Sequence, residues 1–112
     1  MHDSHQLDAL LSASAGSKVG VFAKTLAEVQ AICTAMTDYL EDHEQATVRK
    51  INGKHEISFP NGGIIRFLSV NQSVRGDVFD CVYIPMATSE EFLMELTPAL
   101  VTSDVGLVTG YL

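Results

Sequence analysis

The 112-residue sequence predicts an α/β domain, in which a short, mainly parallel sheet is extended by an antiparallel hairpin or meander and carries two to three helices. Three observations predict this class. An apolar, β-prone segment at residues 18–23 precedes a helical pattern at 25–40, which is typical of the first half of a βαβ unit. Turn signals at 52–53 and 60–63 separate three β-rich segments, as in a meander. The apolar run 78–84 suits a central parallel strand.

The N-terminal residues predict a short helix and a connector. Ser4 could cap a helix that runs to about Ala13, with leucines on one side. The small residues 12–17, SASAGS, then predict a flexible connector. We therefore divide the chain into an N-terminal segment, 1–17, and a single α/β domain, 18–112.

The central helix has both a start signal and an apolar side. Thr25 and Glu28 form a capping box, in which the threonine side chain caps the first turn. Apolar residues then recur at helical spacing to about Leu40, so this helix is expected to bury one continuous stripe. The positions in this stripe are Leu26, Val29, Ile32, Cys33, Met36 and Leu40.

Turn residues bound the three strands of the predicted meander. Residues 46–51, 55–59 and 64–70 are rich in β-forming residues. Between the first two lies Asn52-Gly53, a strong hairpin signal because both central residues of a type I′ turn need positive φ. Pro60-Asn61-Gly62-Gly63 separates the second strand from the third. We expect the meander to be an antiparallel extension of the sheet.

The C-terminal third predicts a strand, a helix and a second strand. Val78 to Ile84 is almost wholly apolar, and Pro85 ends it. Thr88 and Glu91 then form a second capping box, which opens a helix. Val105 to Leu112 has the apolar and β-branched residues of a final strand.

Composition points to a folded protein inside the cell. Hydrophobic residues make up 46% of the chain, yet no apolar run approaches the roughly 20 residues that a membrane helix needs. The first residues lack the basic region of a secretory signal. Cys33 and Cys81 fall in apolar patterns and are expected to be buried and reduced, which fits a cytoplasmic protein. The net charge of −7 repels a phosphate backbone, so nucleic acid is an unlikely partner.

Local clusters in the sequence do not predict catalysis or a bound metal ion. His2, Asp3 and His5 are the one metal-like group, and we expect a disordered N-terminus there rather than fixed ligand geometry. The acidic residues of 38–44 are interpreted as a solvated helix end. The sequence shows no Gly-x-Ser-x-Gly elbow and no nucleophile paired with histidine. We therefore expect no cofactor.

A resemblance to a known family rests on the stretch ISFPNGGIIRF followed by VRGDVFDCVYI, and on the order of the parts. Both are similar to the ATPase domain of the large terminase subunit of tailed bacteriophages, over roughly Lys18 to Leu112. That family has Asn-Gly between strands, then Arg-Gly, then an aromatic-Asp pair that leads into the Walker B strand. The matching positions are Asn61, Gly62, Arg75, Gly76, Phe79 and Asp80. The resemblance implies a partial P-loop NTPase-like core.

The catalytic groups of that family have no counterpart here. A P-loop binds phosphate with a glycine-rich turn, a lysine and a Ser or Thr, whereas residues 15–18 have no Gly-Lys pair and open a strand. A Walker B strand ends in Asp-Glu, which holds Mg²⁺ and orients water; Pro85 and Met86 stand there instead. Glu90 and Glu91 are nearby, but in the first turn of a predicted helix. The family's nuclease domain is also absent, so we expect a shortened relative that is a pseudo-ATPase and not an enzyme.

The resemblance also implies an order of strands. In this class of ATPases the strands lie in the order 5-1-4-3-2, with the P-loop on strand 1. If 18–23 is strand 2, 80–84 is strand 3 and 105–112 is strand 4, then these three are adjacent and strand 4 lacks its outer neighbour. We expect an open apolar edge there. Its candidate interaction residues are Leu107, Val108, Tyr111 and Leu112.

These expectations lead to a non-catalytic protein-binding module, encoded by a phage or prophage and working in the cytoplasm of a bacterial host. Its partner would be a host protein, a phage protein or a second copy in a homodimer, and binding could modulate or inhibit the target. Two alternatives stay open. The chain could be a fragment of a split terminase or ATPase that another chain completes, or an acidic protein that mimics DNA.

Overall fold

The computed structural model describes residues 1, 3–40, 46–51, 54–70, 78–86, 91, 92, 94 and 107–111. For Asp3, Ile51, Lys54 and Leu107 it describes the main chain alone. Within these ranges the elements are α1 (Asp3–Ser14), β1 (Lys18–Ala23), α2 (Leu26–Asp38), β2 (Thr47–Ile51), β3 (Lys54–Ser58), β4 (Ile64–Ser69), β5 (Cys81–Pro85) and β6 (Leu107–Tyr111). Glu91, Phe92 and Met94 are also helical.

The strands form one sheet in the order β2-β3-β4-β1-β5-β6. The neighbours β4, β1, β5 and β6 run parallel, whereas β2, β3 and β4 form an antiparallel meander. Ile51 pairs with Lys54, so Asn52 and Gly53 join β2 to β3 as the hairpin signal predicts, although their conformation lies outside the described residues. The predicted α/β class is confirmed. So is the predicted adjacency of segments 18–23, 80–84 and 105–112, which correspond to β1, β5 and β6.

The start of α2 follows the predicted capping signal. Thr25 has an extended backbone, with φ −128°, and its hydroxyl accepts the main-chain N–H of Glu28 at 3.1 Å. Such a cap satisfies one of the N–H groups that have no partner within the helix. The helix ends at Asp38, two residues before the predicted end at Leu40. Thr88, of the second predicted capping box, lies outside the described residues.

Helix α1 differs from the prediction at both ends. It begins at Asp3, so Ser4 lies inside the helix and does not cap it. It continues through Ser14, so half of the connector expected at 12–17 is helical and Ala13 is fully buried. The prediction of a disordered N-terminus is also wrong for His5, which is helical and whose ring centroid lies 6.0 Å from that of Tyr83. Small residues made the segment 12–17 look like a linker. At a buried helical position, however, a small side chain such as that of Ala13 lets the helix axis approach the sheet closely.

The sheet has a core on each face. On the face that α1 and α2 cover, buried side chains of both helices pack on Val19, Val21 and Tyr83. On the opposite face, the alternate residues of β1 and β5 join a smaller group that we call the aromatic cluster, since successive side chains of a strand point to opposite faces. Its buried members are Phe22, Phe79, Val82, Ile84 and Phe92. Strands β1 and β5 are therefore buried on both sides, as the apolar runs predict.

Candidate functional site

The carboxyl ends of the parallel strands meet at one edge of the sheet. In open α/β sheets this edge is where ligands bind. β1 ends at Ala23, β5 at Pro85 and β6 at Tyr111, and Lys24 follows β1 directly into the start of α2. We therefore take this edge, with the outer side of β6, as the candidate functional site.

The end of β5 carries no acidic residue. Pro85 is buried, and the main-chain N–H of Met86 donates to the Tyr111 carbonyl at 2.8 Å. The thioether of Met86 lies over Gly110, where an added Cβ would stand 2.5 Å from the sulfur. A proline and a methionine can neither hold a hydrated Mg²⁺ ion, which prefers oxygen ligands, nor orient a water for attack. At this end of β5, where the family resemblance would place an acidic pair, Pro85 and Met86 instead contribute to packing and to a main-chain hydrogen bond between strands.

An open cavity of about 390 Å³ lies between this edge and the first turns of α2. Its wall residues include Met1, Lys24, Glu28, Ile32, Pro85 and Tyr111. Most of this wall is apolar, and it contains one basic and one acidic side chain. Such a cavity is suited to binding a small group, since it offers apolar contact together with two charges of opposite sign.

Tyr111 is buried and ties the last strand to the first. Its hydroxyl donates to the main-chain carbonyl of Phe22 in β1, so the side chain reaches past β5. Burial, and next the carboxylate of Glu28, raise the pKa of Tyr111 to about 12. The phenol therefore keeps its proton at neutral pH. The side chain is also only 6% exposed, so a partner at the edge would not contact it directly.

The outer side of β6 is the edge predicted for a partner. Among the described residues no strand lies beyond β6. The Tyr111 carbonyl points toward β5, and main-chain groups alternate in direction along a strand, so the N–H and C=O of Val108 and Gly110 point away from β5. Val108 is 48% exposed. The Leu107 side chain and Leu112 lie outside the described residues, and partner binding at this edge stays a prediction.

Residues 15–18, the segment compared with a P-loop, follow the last turn of α1 and lead into β1. Gly16 has φ +106°, its N–H donates to Ala13 O at 2.9 Å, and the N–H of Ser17 donates to Ser12 O at 3.1 Å. This pair of bonds is a Schellman motif, which satisfies the last carbonyls of a helix. A P-loop instead turns its N–H groups toward phosphate. Here those donors are already used.

The matched Asn61-Gly62 pair has a structural role. The main-chain N–H of Gly62 donates to Phe59 O at 3.1 Å, closing a turn in which Gly62 has φ +92°. The Asn61 amide donates to Ser14 O at 2.7 Å and accepts the N–H of Gly63 at 3.1 Å. This turn therefore binds the C-terminus of α1. That contact could not be predicted from the sequence, because it joins residues 47 positions apart.

The matched Phe79-Asp80 pair positions the start of β5. The Asp80 carboxylate accepts the main-chain N–H of Lys18 at 2.8 Å, and the Asp80 N–H donates to Lys18 O at 2.7 Å. Phe79 is buried against Phe22, with ring centroids 6.0 Å apart, and a Cβ added at Gly20 would lie 3.1 Å from its ring. Both residues hold β5 against β1. Arg75 and Gly76, the other matched pair, lie outside the described residues.

Neither cysteine has the features of a nucleophile. Cys33 and Cys81 are free and buried, as predicted. Burial raises the pKa of both thiols, and the nearby Asp80 carboxylate raises that of Cys81 further. A raised pKa leaves little of the reactive thiolate at neutral pH.

The described part of the chain has neither a metal cluster nor a membrane-spanning helix. In that part no three His, Cys, Asp or Glu residues lie together as a metal site would need. None of its helices has the length and apolarity required to cross a membrane. Of the acidic run at 38–44, residues 41–44 lie outside the described ranges.

No family model matches the sequence, and no curated protein matches it. The fold, however, is similar to solved structures of the large terminase from a thermophilic bacteriophage. One of these structures, in complex with ADP, has a TM-score of 0.67 and 15% identity over 94% of this chain. Another has a TM-score of 0.69 and 14% identity, and a third, in complex with ATP-γ-S, has 0.67 and 14%.

The chain spans 28–29% of the length of these terminase chains. At such low identity the likeness concerns the fold, and the resemblance inferred from the sequence is confirmed at that level. The described α/β sheet and its helices thus have the fold of one part of a phage large terminase.

Proposed function

We propose that this domain is a non-catalytic protein-binding module of phage or prophage origin, which acts inside a bacterial cell by accepting an extended segment of a partner protein on the outer side of β6. The observation that carries the proposal is the direction of the main-chain groups of Val108 and Gly110, which point away from β5 in the outermost described strand. Outward-pointing groups of an edge strand bind an added strand in many peptide-recognition domains.

The ends of the neighbouring strands support a binding role rather than catalysis. Pro85 and Met86 take the place of a Walker B acidic pair, and the main-chain donors of residues 16–17 are used within a helix end. Both positions serve packing and main-chain bonding. A fold that resembles an ATPase can therefore persist here as a rigid support for a recognition edge.

Proline at position 108 tests the proposal without breaking the sheet. The N–H of Val108 points outward, so Val108→Pro removes one donor from the edge and leaves the β5–β6 ladder intact. Val108→Thr is the matched control, since it keeps the N–H and the shape of the side chain. Changing Tyr111 would be uninformative, because that side chain is buried and bonded to β1.

The measurement combines capture with hydrogen exchange. Partners retained by the wild-type domain from lysate of the bacterial host are identified, purified and added back to the labelled domain. We expect the amides of Val108 and Gly110 to exchange freely in the domain alone and to be protected in the complex. We expect Val108→Pro to lose the partner while Val108→Thr keeps it. Equal binding by both variants, or protection confined to other residues, would overturn the proposal; protection that depends on domain concentration alone would identify the partner as a second copy.

A second candidate is a fragment of a split terminase or ATPase. The observation that favours it is the similarity to a large terminase solved with ADP and with ATP-γ-S. In this case the strand that pairs with β6 would come from a chain that carries the P-loop and the acidic pair. Hydrolysis of ATP that appears only when such a chain is added supports this candidate. Hydrolysis by the isolated domain would refute both the binding module and the split enzyme.

The third hypothesis, that the domain is an acidic DNA mimic, makes a different prediction. A partner of that kind binds DNA, and DNA competes with the domain for it. Competition by duplex DNA that weakens at high salt would favour mimicry over strand addition.

A further inference from the structure

The cavity at the carboxyl edge has features that the proposed edge interaction does not use. It lies on the α2 side of the sheet, between the first turns of that helix and the ends of β5 and β6. Its volume of about 390 Å³ falls at the lower end of the usual range for small-molecule sites, about 300–1,000 Å³. Ile32, Pro85 and Met1 supply apolar wall. This size and lining suit a small ligand with an aliphatic portion.

Two side chains of opposite charge line the same cavity, those of Lys24 and Glu28. Both side chains are exposed, and no ion pair of the described residues joins them. Glu28 and Tyr111 both line the cavity, and the Glu28 carboxylate contributes to the raised pKa of Tyr111. A cavity with separate positive and negative groups complements a ligand that carries both charges.

The start of α2 favours one orientation of such a ligand. Lys24 immediately precedes the N-cap residue Thr25, so its main chain lies beside the positive end of the helix dipole, and the residue also lines the cavity. A ligand carboxylate would be stabilised there. A ligand ammonium group would then be placed toward Glu28, one helical turn further along.

We propose that this cavity binds a small zwitterion with an apolar side chain, that is, a free aliphatic α-amino acid. The carboxylate contacts Lys24 and the start of α2, the ammonium group contacts Glu28, and the aliphatic portion packs on Ile32 and Pro85. The site is separate from the outer side of β6, and it does not depend on the proposed function.

The test is a titration of the ¹⁵N-labelled domain with L-leucine, followed by NMR. Two analogues serve as ligand controls: 4-methylpentanoate, which lacks the ammonium group, and 3-methylbutylamine, which lacks the carboxylate. We expect saturable shifts at residues 24–32 with leucine and at least about tenfold weaker binding of either analogue, because each loses one charge-assisted contact.

Substitutions identify the contacts. We expect Lys24→Met and Glu28→Gln each to weaken leucine binding about tenfold, and Ala31→Trp to abolish it by filling the cavity, since Ala31 is an exposed wall residue. Lys18→Met is the matched control, because Lys18 is an exposed lysine at the opposite end of β1. Its spectrum and leucine affinity should match those of the wild type.

Three outcomes would overturn the proposal: no saturable shift up to about 10 mM leucine, equal affinity for leucine and both analogues, or full binding by Ala31→Trp. None of them bears on Val108→Pro, which tests a different side of the sheet. Failure here and failure of the proposed function are therefore distinguishable.

Discussion

Replacement of Gly63 by alanine tests whether the turn at 59–63 holds the end of α1 in place. A Cβ at this position would lie 1.7 Å from the carbonyl oxygen of Ala13 and 2.8 Å from its carbonyl carbon. Both atoms are main chain, so a rotamer change cannot relieve the overlap. Either the end of α1 or the turn must move.

The size of the expected loss of stability follows from the hydrogen bonds that this movement would break and from the added volume. The bond from Asn61 to Ser14 and the bond from Gly63 to Asn61 contribute about 1 kcal/mol each. Forcing extra volume into a packed site adds about 1–3 kcal/mol. We therefore expect Gly63→Ala to lower the free energy of unfolding by about 3–5 kcal/mol.

The neighbouring glycine is the control. At Gly62 an added Cβ meets nothing within 4 Å, but φ is +92°, so Gly62→Ala should cost only about 1 kcal/mol of conformational strain. Urea unfolding followed by far-UV circular dichroism measures both values. If Gly63→Ala is no more destabilising than Gly62→Ala, the turn does not fix the helix end and this reasoning is refuted.

Three further predictions concern single contacts. Thr25→Ala should lower stability by about 1 kcal/mol in the same urea assay, because it removes the acceptor of the Glu28 N–H; Thr25→Ser should retain most of it. Gly16→Ala should cost about 1 kcal/mol, since φ at this helix end is +106°, and Gly16→Asn should cost less. Tyr111→Phe should cost about 1–2 kcal/mol through loss of the bond to the Phe22 carbonyl. The pKa of Tyr111 is about 12 in the folded protein and its usual value is 10, so between these pH values the folded wild type binds more protons than the unfolded chain. Its free energy of unfolding should therefore fall from pH 10 to pH 12, and it should fall less steeply in Tyr111→Phe. Equal slopes in the two proteins would contradict the raised pKa of Tyr111.

Local signals were sufficient where the structure is local. Thr25 caps α2, and Asn61 and Gly62 turn the chain between β3 and β4, because caps and turns depend on the conformational preferences of a few neighbouring residues. The apolar run of β5 likewise predicts a strand covered on both faces, because a strand with one exposed face would alternate apolar and polar residues. The position of β5 between β1 and β6 came instead from the family resemblance, since pairing of parallel strands leaves no mark in a short window.

Contacts between distant segments could not be predicted. The helix α1 ends where the Asn61 side chain donates to the Ser14 carbonyl. Residues 12–17 alone look like a linker, because small residues are common both in linkers and at closely packed positions. Tyr111 was expected at an open edge, yet it faces the helices and is buried. Alternation along β6 separates two sets of side chains, but the sequence does not state which set the helices cover.

The Tyr111–Phe22 bond affects how the domain would associate with a partner. β6 is joined to β5 by the strand ladder, and through this phenol it is also joined to β1. Displacing β6 would take the Tyr111 donor away from the Phe22 carbonyl, which is costly. The strand is consequently pre-organised, and an incoming segment alone bears the entropic cost of ordering. If a partner segment pairs with β6 as we propose, its association should therefore be limited by the ordering of that segment, with the domain acting as a fixed template.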